Sequence, residues 1–165
     1  MLTHREISLI CGDIQVSFSQ PSTHDRNCRW SGMNILMKAA LLTGRTIDQG
    51  KAKEYGKLSE VYRESVAICE IDPKDLGELG IEENQNVKVT TDFGSIVVKA
   101  VKSVRGPHPK IVYIPYGPWA NIIVNPRTHS TGMPTLKGIP AEIEFSPTEK
   151  VLDVYTLLKE RYKKG

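Results

Sequence analysis

Short runs rich in β-branched residues recur at close spacing through the middle of this chain, separated by turns and only brief helical patterns. That rhythm constrains the fold more than any other feature. Residues 35–43 read as a strand leading into Gly44, and residues 66–71 alternate so that Ala67, Cys69 and Ile71 share one face. Cys69 is therefore expected to pack rather than react. Asp72 is placed to cap a short helix with Pro73 first, Leu76 and Leu79 inside and Gly80 at its end. Val87 and Val89 alternate with Lys88 and Thr90. The turn Asp92-Phe93-Gly94-Ser95 then leads to residues 96–101, a hairpin in which Gly94 would supply an unusual φ. Residues 111–114 and 141–145 complete the set. Short strands this close together argue for a mainly β fold with short helices, closed into a small barrel.

Around this body the chain divides into an N-terminal extension of uncertain status (1–32), a barrel domain (33–145) and a C-terminal helix (146–165). The extension holds a possible strand over residues 7–18 and a polar run over 20–29, and Met33 could be an alternative start. The terminal helix carries the best local signal. Ser146 would be its N-cap, Pro147 its first residue and Glu149 the partner in a capping box. Val151, Val154, Tyr155, Leu158 and Tyr162 would form one apolar stripe.

Eight of the ten prolines fall between Pro107 and Pro147, in a long irregular stretch anchored by Tyr116, Trp119 and Met133. Such a loop in a compact domain is the first place to look for a ligand. Residues 93–141 contain no carboxylate but include Lys99, Lys102, Arg105, Lys110, Arg127 and Lys137. A basic stretch of this kind suits either an anionic partner or a solvated face. The net charge of +3 is too small to suggest nucleic-acid binding by itself. Cys11, Cys28 and Cys69 form no disulfide or zinc pattern, although His24 and Cys28 with Cys11 are the sharpest metal guess. A reducing cytoplasm is the default. No apolar run approaches the roughly 20 residues that span a bilayer, so no membrane partner is expected.

Residues 44–51 fail as a phosphate-binding loop, being one residue too long and lacking the metal-binding hydroxyl, and no dinucleotide glycine fingerprint occurs. Thr43-Gly44-Arg45 is more informative. A strand ends there in a hydroxyl, a glycine permitting close backbone approach and a guanidinium able to grip a diphosphate through paired hydrogen bonds.

The order of segments extends this. Thr43-Gly44-Arg45-Thr46-Ile47-Asp48-Gln49-Gly50, then Gly117-Pro118-Trp119-Ala120-Asn121, then residues 131–138 (Thr-Gly-Met-Pro-Thr-Leu-Lys-Gly) resemble the small, cofactor-binding subunit of formylmethanofuran dehydrogenases. These belong with the C-terminal domain of the molybdopterin-dinucleotide enzymes. The likeness covers residues 35–144, and residues 1–32 have no counterpart in it. It implies a double-psi β-barrel with a C-terminal helix, within a tungsten or molybdenum complex that reversibly reduces carbon dioxide to formylmethanofuran in methanogenesis. The implied cofactor is a molybdopterin guanine dinucleotide shared with a large catalytic subunit, whose metal this chain does not ligate. Other subunits would complete the complex. Thr43, Gly44 and Arg45 would meet the phosphate and guanine portions, Trp119, Asn121 and the loop with Gly132, Met133 and Lys137 would close around the pterin, and Thr46, Gly117 and Pro118 would also bind the cofactor. The chain alone would not be catalytic.

Two other readings stand beside this one. The same barrel serves as a non-catalytic binding or assembly module, since fold does not settle function. It also occurs in self-processing decarboxylases, and Gly94-Ser95 offers the bond that such an enzyme would cut.

Overall fold

The computed structural model describes residues 10–11, 14–16, 35–128, 130 and 132–162. β1 (Ile10–Cys11) and β2 (Ile14–Val16) form a small antiparallel pair, and β2 lies against the start of β3 (Ile35–Gly44). Then follow α1 (Ile47–Lys53), α2 (Glu60–Val66), β4 (Ile68–Ile71), α3 (Pro73–Leu79), β5 (Asn86–Thr91) and β6 (Gly94–Lys102). β7 (Ile111–Pro115), α4 (Pro118–Ile123), β8 (Lys137–Phe145) and α5 (Val154–Tyr162) complete the order.

The strands β3-β7-β4-β6-β5-β8 lie side by side, and pairing of β8 with β3 closes them into a barrel of six. Exchanging β3 with β6, β4 with β7 and β5 with β8 leaves this ring unchanged. The two parallel pairs, β3 with β7 and β4 with β6, each take one strand from either half. Two interlocked three-strand halves make this the double-psi β-barrel. Alternate strand residues fill the interior, with Leu41, Val87, Val89, Val98, Val112, Ile114 and Ile143 fully buried. Closure leaves β3 with a partner on both edges, β8 on one and β2 followed by β7 on the other.

Several local expectations shift. The expected strand over residues 7–18 is, in its described part, two short antiparallel strands. Val66 ends α2 rather than opening a strand, and Ala67 caps that helix before β4 begins. Cys69 is buried as expected, and burial pushes its thiol pKa upward, consistent with packing. The Asp72-Pro73 start and the left-handed Gly80 end of α3 match the sequence reading.

The C-terminal helix starts later than Ser146. The Ser146 N–H extends the sheet by donating to Asn86, and Glu149 accepts from Lys88 Nζ at 2.9 Å, so residues 147–153 run along β5 as irregular chain. Asp153 is the effective cap, accepting from the N–H and hydroxyl of Thr156. The expected single stripe is also divided. Val154 and Leu157 are buried, while Tyr155 and Leu158 are exposed.

In the hairpin, Gly94 belongs to β6 and does not have a positive φ. Glycine is needed there for space, because a Cβ would stand 2.8 Å from the Ile122 carbonyl oxygen on α4. Close helix packing explains Gly94 without any cleavage chemistry.

Candidate functional site

At the C-terminal ends of β3 and β7, parallel register sets Gly44 beside Pro115, and the Tyr116 N–H donates to the Gly44 carbonyl over 2.6 Å. From this crossing the chain departs in two directions, into α1–α2 after β3 and into α4 after β7. The diverging segments leave a cavity of about 480 Å³.

The walls follow from local sequence. Thr46 caps α1, accepting from the Gln49 N–H at 3.1 Å, while Gln49 Oε1 accepts from the Thr46 N–H, a reciprocal capping box. Gln49 Nε2 also donates to the Tyr116 carbonyl, tying α1 to the opposite wall. Helical spacing from Thr46 puts Gln49, Gly50 and Lys53 on the same face, and all three line the cavity. Ser59 caps α2, whose buried face carries Tyr62 and Val66. Across from it, Gly117 is extended and fully confined, since a Cβ would meet Val66 Cγ1 at 2.5 Å. Only glycine lets α2 approach the start of α4 this closely. Tyr116, Pro118 and Asn121 complete the α4 wall, with the Asn121 N–H engaged by Gly117.

The electrostatics are one-sided. Arg45, Lys53 and Lys57 line the cavity, and among the described residues no Asp or Glu does. Among the described residues none of these cations takes part in an ion pair, whereas neighbouring Lys51 and Arg63 pair with Asp48 and Glu60. Cations gathered around one concavity without counterions favour an anion there.

Of the residues singled out in the sequence, the fold brings Arg45, Thr46, Gly117, Pro118 and Asn121 together at this cavity. The others lie elsewhere. Thr43 is buried, with both its N–H and its hydroxyl directed to the Leu136 carbonyl. Gly44 accommodates Tyr113, whose hydroxyl would stand 3.0 Å from an added Cβ. Trp119 has no exposed surface, and its indole N–H donates to Leu152 at 3.1 Å, so it is a core anchor. Met133 is 67% exposed rather than an apolar anchor, and Gly132 and Lys137 are also exposed. The acid-free basic stretch does not converge on the cavity either. Arg105, for example, stacks over Tyr113 and lies 3.7 Å from Glu70.

Lys53, Lys57 and Tyr62 were not singled out, and Gln49 stood in the Thr43–Gly50 motif without a site role. The signal for two of them was present, because Thr46-x-x-Gln49 is a helix start that fixes the face on which Gln49 and Lys53 lie. His24 and Cys28 lie outside the described residues, as does the side chain of Cys11, and among the described residues no His, Cys, Asp or Glu cluster could hold a metal.

The other parallel crossing, β4 with β6, is built differently. Asp72 Oδ2 accepts from the His108 N–H at 2.7 Å and Oδ1 from the Lys74 N–H, which together hold its carboxyl below the usual carboxylate range. Asp75 accepts from the Lys110 N–H at 2.7 Å. His108 Nε2 lies 2.6 Å from the Ser103 hydroxyl, and its Nδ1 faces the Ile111 carbonyl. This crossing is filled by its own side chains. A larger cavity of about 740 Å³ lies between β6, α4 and α5, but its charges are mixed, with Lys88 paired to Glu149.

Residues 39–140 match the family described as the molydopterin dinucleotide binding domain, and the chain belongs to that family. Within it, the chain is 43% identical over 128 residues to Protein FwdD of Methanocaldococcus jannaschii, covering 76% of this chain and 96% of that protein. It is 35% identical over 126 residues to a subunit of the molybdenum-containing formylmethanofuran dehydrogenase 1 of Methanothermobacter thermautotrophicus, covering 75% of this chain but only 31% of that longer polypeptide. Among solved structures, acetylene hydratase from Pelobacter acetylenicus aligns with a TM-score of 0.49 at 17% identity, over 66% of this chain and 18% of that one.

Proposed function

We propose that the chain is a cofactor-binding subunit of a cytoplasmic tungsten or molybdenum formylmethanofuran dehydrogenase, and that its cavity holds the diphosphate region of a molybdopterin guanine dinucleotide. The observation that carries this reading is a cavity with three cations and, among the described residues, no acid and no ion pair to them, in a chain of this family. Arg45 would grip phosphate oxygens through paired, charge-assisted hydrogen bonds, and Lys53 and Lys57 would add point charge. Gln49 keeps the two walls at a fixed separation, and Tyr116, Pro118 and Asn121 bound the ligand on the α4 side. The bound cofactor supplies the metal centre at which carbon dioxide and the formyl level are interconverted. The chain's own part is to orient it and to exclude water.

A pocket of about 480 Å³ suits part of a dinucleotide, with a larger subunit enclosing the rest and furnishing the metal's protein ligand. The α1–α2 segment beside the cavity exposes Ile47 (79%), Leu58 (78%) and Tyr55 (72%), a surface suited to burial against that subunit.

The test is to rebuild the complex with Arg45→Ala and measure bound pterin, nucleotide and metal together with formylmethanofuran oxidation. Cofactor retention should fall about ten- to a hundredfold, and Arg45→Lys should recover only part of it. Full occupancy in Arg45→Ala would defeat the phosphate-grip reading.

A further inference from the structure

Among the described residues, Tyr62 is the one deeply buried polar side chain at this cavity whose functional group is not engaged by the fold. It is 3% exposed and packs on the buried face of α2, yet its hydroxyl makes no hydrogen bond among the described residues. Its backbone N–H and carbonyl serve Ser59 and Ser65 instead. No described side-chain oxygen or nitrogen is both fully enclosed and unpartnered, so the small remaining exposure of Tyr62 includes its hydroxyl. What that hydroxyl reaches is the cavity, beside Gly117, whose missing Cβ would stand 3.4 Å away. Substitution of Gly117 would force α2 outward and take the phenol with it.

We propose that Tyr62 is a ligand-binding residue whose hydroxyl hydrogen-bonds the bound molecule at the α4 side of the cavity. The inference rests on the cofactor reading above and deepens it by dividing the site into two walls. Arg45, Lys53 and Lys57 form a cationic wall from the β3 exit, α1 and the α1–α2 connection. Tyr62 and Asn121, from α2 and α4, form a neutral wall. A ligand with a phosphate at one end and an uncharged hydrogen-bonding group next to it satisfies both. A phenol can donate and accept, so it suits the uncharged group.

Complexes rebuilt with Tyr62→Phe, with Arg45→Ala/Lys53→Ala/Lys57→Ala and with wild-type chain should be compared for the rate of pterin loss after dilution, at low and high salt. Tyr62→Phe should lose cofactor about three- to tenfold faster, as expected for one neutral hydrogen bond. That factor should not change with salt, whereas the effect of the triple variant should shrink as salt screens the cations. The melting temperature of the free Tyr62→Phe chain should equal or exceed wild type, since no partner is orphaned. Wild-type retention in Tyr62→Phe, alongside loss in the triple variant, would overturn the assignment of Tyr62 and leave the anion site standing. Full retention in the triple variant would overturn the site itself. A lower melting temperature for Tyr62→Phe would show that the phenol serves the fold, and would also overturn the proposal.

Discussion

The two parallel crossings of the barrel are equivalent in topology and opposite in chemistry. At β3 with β7, residues 45–67 diverge into two helices and leave an open cavity whose cations have no partners among the described residues. At β4 with β6, the short connection 103–110 folds back over the strand ends, and buried carboxylates of Asp72 and Asp75 collect its backbone N–H groups. One crossing leaves hydrogen-bonding capacity for a ligand; the other uses it internally. The same scaffold thus leaves one end open and closes the other on itself, and the difference lies in connection length and in which charge is buried.

The largest effect should come from a residue of the open crossing that belongs to the core. Trp119→Ala removes a fully buried indole and orphans the Leu152 carbonyl, and should cost about 3–5 kcal/mol in denaturant titration. Tryptophan at this position acts on the fold first, so cofactor loss in that variant should track unfolded protein. Next, Asp75→Ala in the closed crossing should cost about 1–3 kcal/mol of stability by removing the buried carboxylate that accepts from the Lys110 N–H, without changing cofactor retention in the protein that remains folded. Arg45→Ala should behave in the opposite way, changing stability by about 0.5 kcal/mol or less while weakening retention. If both substitutions moved the same observable, the division between the two ends would be wrong.

Acid titration sharpens the comparison further. The Asp72 pKa is depressed in the folded chain by the N–H groups of His108 and Lys74. Its contribution is therefore full above the unfolded carboxylate value of about 3.9, and is lost as pH falls from there through the lower folded value. The stability gap between wild type and Asp72→Asn should hold at neutral pH and narrow below about pH 4, as read from denaturant midpoints. The smallest effect is expected at Lys137, exposed at the start of β8, where Lys137→Ala should change stability by about 0.5 kcal/mol or less and leave cofactor retention unchanged.

Much of the barrel was legible because strand period and turn chemistry act locally. Alternation marked β5 and β6, and Asp72-Pro73 with Gly80 bounded α3. The terminal helix shows the limit of that reasoning. Ser146-Pro147 is a sound local start, but Asn86 and Lys88 on β5 offer Ser146 and Glu149 better partners, and the helix waits until Asp153. The helices α1, α2 and α4 were missed because each is only six or seven residues long, too short for an apolar periodicity to show.

The sequence by itself determined most of the barrel's strands and the family, because these depend on local spacing and on an ordered set of motifs. Only the tertiary structure decided which of the candidate residues share a site. It sent Trp119 and Thr43 into the interior, left Met133 at the surface and brought in Lys53, Lys57 and Tyr62. The physical reason is barrel closure: a parallel pairing joins residue 44 to residue 115 and carries everything attached to either strand end with it, which no periodicity along the chain encodes.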